Sequence, residues 1–105
     1  MTEPILIRPL QPFTVSMDYF ATGEGVTVAV LVLNAHNNEE AKNAFLDANG
    51  YYGSSREYFG RGVDIHEGVN RELLGRWLAP RFIDALERRM QVRARFMLNW
   101  HFNAS

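Results

Sequence analysis

Asp64, His66 and Glu67 bring three side chains able to carry a proton into four consecutive positions, a spacing that raises general acid–base chemistry. If Val63–His66 is extended, Asp64 and His66 point to one side and Glu67 to the other, so only two of the three can act together. Ser54 and Ser55, a few residues upstream, are the candidate nucleophiles, yet neither sits in a Gly-x-Ser-x-Gly setting. His36, His66 and His101 each fall near the end of a predicted strand. Were those ends to meet, imidazole and carboxylate could ligate zinc or another divalent ion. No His-x-x-x-His or His-Glu-x-x-His occurs, so no catalytic residue, metal ligand or cofactor is assigned. A small metal-dependent or acid–base enzyme stays as an alternative that requires the three histidines to converge. Gly60-Arg61-Gly62 matches neither phosphate-binding glycine pattern and reads as a tight turn.

Recognition chemistry is better represented. Tyr51, Tyr52, Tyr58 and Phe59 interleave with Gly53, Gly60 and Gly62 in an irregular stretch, and tyrosine offers much contact area at low entropy cost. Tyr52, Tyr58 and Phe59 are therefore the first binding candidates, with the alternative that these rings close one end of the core. Arg93 and Arg95 are the second. On a closing strand they would share a polar face with Asn99 and His101, a stripe able to meet an acidic protein or a phosphate backbone. Arginines beside a helix C-terminus and on a strand's solvent face also serve the dipole and edge protection.

The elements that must position these groups follow from hydrophobic period. Phe13, Val15, Met17 and Tyr19 alternate with polar residues, predicting a half-buried strand; Ala21 to Gly25 suits a hairpin loop, and Val26–Leu33 returns as a second strand. That second strand is apolar on both sides, so both of its faces need cover. The second cover is expected from the N-terminal segment or from another copy of the chain, which would make a homodimer. Asn37 with Glu40 three positions later signals the start of a short helix, and Gly50 its end. Val63–His66 predicts a brief third strand. Val69–Met90 reads as a long amphipathic helix interrupted at Pro80, kinked there or divided so that Pro80 opens a second helix. Val92–Phe102 alternates as the last strand, and residues 1–12, with Pro4, Pro9 and Pro12, as an extended lead-in.

Composition bounds the rest. The 105 residues are 47% hydrophobic and 22% charged, enough apolar material for one core, and are expected to form a single domain. No cysteine is present, which removes disulfides, thiolate metal sites and cysteine nucleophiles. Net charge is -1, divided unevenly: residues 1–52 carry two basic against six acidic side chains, residues 53–105 nine arginines against six acids. The longest wholly apolar run, Val28–Leu33, is far too short to cross a bilayer, and the N-terminus lacks a secretory pattern, so a soluble cytoplasmic protein is expected.

The sequence thus predicts an α+β fold: a mainly antiparallel sheet of about four strands, ordered β-β-α-β-α-β, with two helices on one face. Its expected function is non-enzymatic protein binding, in the manner of a small bacterial or phage accessory or inhibitor protein. Nucleic-acid binding through the C-terminal arginines is the alternative.

Overall fold

The computed structural model describes residues 9–21 and 25–103. The alternating stretch at the start becomes β1 (Gln11–Ala21), and the doubly apolar stretch becomes β2 (Gly25–Ala35), paired antiparallel from Gln11↔Ala35 to Ala21↔Gly25. The expected loop at 22–24 and the first eight residues of the lead-in lie outside the described residues. Then follow α1 (Asn38–Ala48), α2 (Gly53–Gly60), β3 (Asp64–Glu67), α3 (Arg71–Leu74), α4 (Pro80–Met90) and β4 (Met97–Asn103). The four strands form one antiparallel sheet ordered β3-β1-β2-β4, an α+β fold.

The two-sided pattern of β2 decides the layering. Ala29, Leu31, Leu33 and Ala35 face one core with Phe13, Val15 and Met17 of β1 and Ala41, Phe45 and Leu46 of α1. Val28, Val30 and Val32 face a second core with Leu74 of α3 and Ile83, Leu86 and Met90 of α4. Val30, Leu31 and Val32 are completely buried, and each such side chain stabilises by about 1.5–3 kcal/mol over leaving it in water. Helices therefore lie on both faces of the sheet rather than two on one, and there are four of them among the described residues. The chain itself covers both faces of β2, so that strand is not a seam between copies.

Pro80 divides the predicted long helix. It stands at the first position of α4 after Ala79 in extended geometry, where its missing N–H costs nothing, and α3 ends at Leu74 in the turn before it. This is the divided form of the expected break. Within Tyr51–Gly62, expected as a loop or a pair of bent strands, Gly53–Gly60 forms α2 instead. The last strand starts at Met97, not Val92: Arg93 takes φ 60°, left-handed backbone that interrupts an extended run. Arg93 and Arg95 consequently precede β4 and do not share its polar face.

Asn34 ties these pieces together. It is 3% exposed at the end of β2, and its amide donates to the carbonyls of Met90, closing α4 (3.2 Å), and of Ala94 (2.9 Å). The connection between α4 and β4 is thereby fixed to the central strand.

Candidate functional site

The geometry of α2 begins with α1. Asn37 caps α1, its side chain accepting from the Glu40 N–H at 2.8 Å, and Gly50 ends it at φ 77°, a left-handed position that glycine adopts freely. The chain then turns back so that α2 packs against the C-terminal half of α1. A β-carbon on the buried Gly60 would lie 3.1 Å from Lys42 Cε, which is why the helices approach closely here. Arg56 holds the arrangement: Nη1 donates to Asp47 Oδ1 (2.6 Å) and to the Tyr51 carbonyl (3.1 Å), and Nη2 to Asn43 Oδ1 (2.9 Å). Ser55 is occupied as well, its hydroxyl donating to the Tyr52 carbonyl at 2.6 Å.

This anchoring sorts the aromatic residues into two sets. Tyr51 and Phe59 are half-buried against the first core and stack on each other, centroids 4.6 Å apart. Burial raises the Tyr51 hydroxyl above its ordinary pKa, with Tyr19 nearby adding to the effect, so Tyr51 stays a neutral phenol. Tyr58 meets Phe59 edge-on at 5.1 Å yet is 70% exposed, and Tyr52 is 65% exposed. The rings thus divide by exposure. Phe59 and Tyr51 close the core; Tyr52 and Tyr58 face solvent. Beside them Met17, Asp18, Tyr58, Phe59, Arg61 and Gly62 line an open cleft of about 400 Å³.

The arginine candidates stand elsewhere. Arg95 donates to Glu40 Oε1 at 3.1 Å near the start of α1, whereas α2 is held to Asn43 and Asp47, several residues further along that helix. Arg93 lines a separate groove with Pro9, Pro12 and Glu67. Asn99 and His101, expected to join them in a stripe, lie on β4 near Asn49 and bonded to Tyr19, respectively. The aromatic and basic candidates therefore do not form one surface.

The acid–base candidates are dispersed too. His66 is on β3 and His101 on β4, the two edges of the sheet, separated by β1 and β2 and so by about 14 Å across three strand spacings. His36 pairs with Glu40, Nδ1 to Oε2 2.8 Å. The convergence that the metal-enzyme alternative needs is absent, and among the described residues no three His, Asp or Glu side chains group as a metal site. Asp64 and His66 share a cleft with Ser16 and Arg76 on the α3 side of the sheet, while Ser54 and Ser55 sit on α2 over the opposite face.

Glu40 links the two clusters at the start of α1. The hydrogen bond from His36 holds its carboxyl below the ordinary value, against some desolvation, and Arg95 adds to the lowering. A carboxylate of lowered folded pKa contributes stability above its unfolded pKa and loses it as pH falls through the folded value. Acid unfolding of the wild type is therefore expected to be steeper below about pH 4.5 than that of Glu40→Gln, as read by circular dichroism. Superimposable acid limbs would contradict this role.

Arg56 and Asn34, which organise the site and the core, escaped sequence reading. A lone polar residue closing the apolar run of β2 was the available signal for Asn34; nothing local marked Arg56. Compared with known proteins, the chain matches no family model, no curated protein and no solved structure.

Proposed function

We propose that this chain is a protein-binding module whose contact surface is built on Tyr58 of α2 and Tyr52 at its N-cap. One observation carries the reading: Tyr58 on α2 and Tyr52 at its N-cap are largely exposed, while Arg56 ties α2 to α1 and the Tyr51–Phe59 stack ties it to the first core. Exposed aromatic rings on a pre-ordered element lose little entropy on docking and are enriched among residues that dominate binding energy. The cleft beside Tyr58 receives a partner's apolar side chain against Met17 and Phe59, and Arg61 at its rim offers a cation to an acidic neighbour. The mechanism is steric occupation of a partner's surface, the mode of an accessory or inhibitor protein, and involves no chemical step.

The test separates the two sets of rings. Tyr58→Ala is expected to keep the wild-type melting temperature and weaken binding to the isolated partner by about 30-fold or more, with Tyr52→Ala acting in the same direction. Phe59→Ala, which opens the stack, should instead lower stability by about 1–3 kcal/mol. Unchanged affinity in the Tyr52/Tyr58 double variant sinks the reading. A partner that proves to be nucleic acid, with affinity falling steeply with salt and lost on changing Arg93 and Arg95 to Glu, would transfer the function to the arginines.

A further inference from the structure

The two edges of the sheet are built differently. β3, at one edge, has four residues, two of them acidic, which blunts it against pairing with other strands. β4, at the other, runs seven residues, Met-Leu-Asn-Trp-His-Phe-Asn, with no Lys, Arg, Asp, Glu, Pro or Gly. Among the described residues β4 has a strand neighbour on one side only, β2. Asn34 N–H donates to the Phe96 carbonyl at 3.1 Å, so by alternation along the antiparallel ladder Leu98 and Trp100 direct their backbone groups toward β2 while Asn99 and His101 direct theirs outward.

We propose that this edge pairs with the same edge of a second copy, giving a two-fold dimer with a continuous eight-stranded sheet. The sequence of β4 is self-complementary in that register. An axis at Trp100 sets Trp100 against its equivalent, Leu98 against Phe102, and Asn99 against His101, so the central pairs match apolar with apolar and polar with polar, and only the end pair, Met97 against Asn103, is mixed. Asn99 and His101 then exchange backbone hydrogen bonds across the axis. The absence of charge removes the repulsion that two identical edges would otherwise suffer. On the α4 side Phe82, 44% exposed and 6.4 Å from Trp100, extends the apolar flank next to the seam. Tyr58 lies toward the β3 side of each subunit, in a cleft with Met17 and Gly62, so the dimer presents its two Tyr58 rings away from the seam; the pairing itself does not rest on their function.

Sedimentation at about 100 μM is expected to give twice the 12.0 kDa chain mass. Asn99→Pro deletes an outward N–H without touching the ladder to β2, and Asn99→Lys adds an edge charge; both should give single chains with wild-type circular dichroism. Because the chain has no cysteine, mixing Asn99→Cys with His101→Cys subunits should yield a cross-linked pair faster than either variant alone. A wild type that sediments as a single chain overturns the proposal, whatever else covers the edge. So does a dimer that survives both Asn99 variants or fails to form the mixed disulfide.

Discussion

Replacing Phe45 with alanine is expected to lower the thermal midpoint by about 15–25 °C. Phe45, on α1, is completely buried and as large as any side chain buried in the first core, which it shares with Leu31 and Leu33 of β2 and Val15 of β1. Its removal forfeits the transfer of the ring and leaves a cavity that a sheet-backed site closes poorly, a loss of about 3–5 kcal/mol. Domains of this size hold roughly 5–15 kcal/mol in total, so the variant should be near the limit of folding at 37 °C. The consequence reaches the site, because α2 rests on α1 through Arg56 and Gly60. Calorimetry checks it; a midpoint within about 5 °C of wild type would mean that α1 contributes little to the fold.

The second large effect is expected from Asn34→Asp, a change of almost no volume. The carboxylate replaces an amide that donates to both the Met90 and Ala94 carbonyls, in a position 3% exposed. Two donors vanish and a negative charge faces two carbonyl oxygens, for a loss of about 3–5 kcal/mol at pH 7. Burial also favours the neutral acid in the folded state, so the variant binds a proton more tightly folded than unfolded. Its deficit should therefore shrink as pH is lowered toward 5, opposite in sign to the Glu40 effect. In the wild type the Asn34 side-chain oxygen is buried with no partner among the described residues, which marks the amide as retained for its donors. Denaturant unfolding at the two pH values measures both the size and the sign.

These residues also mark where sequence reading succeeds and where it stops. The period-two pattern of β1, the doubly apolar run of β2 and the Asn37 cap are local signals, and the fold follows them. The valines and leucines of β2 announced two covered faces; that α1 and α2 would take one and α3 and α4 the other depends on connection geometry, which no short pattern encodes. α2 was hidden because glycine begins and ends it and its stability comes from Arg56 reaching back to α1 rather than from helix propensity. The alternation from Val92 ran past the true start of β4 because hydrophobic period does not register one left-handed residue at Arg93. At the site, the tyrosines were legible as a group, but which rings turn inward was a matter of packing. The arginines were expected on β4 but precede it, so they do not belong to its polar face.

Site-directed photo-crosslinking is the most direct test of the account: a benzophenone side chain placed at position 58 on α2, and at Glu72 and Arg95 as controls away from that face. The account predicts a protein adduct from position 58, at a yield well above both controls, with the same partner recovered by the unmodified chain and lost with the Tyr52/Tyr58 double variant. Adducts that form from position 95 or 72 and not from 58 would contradict it.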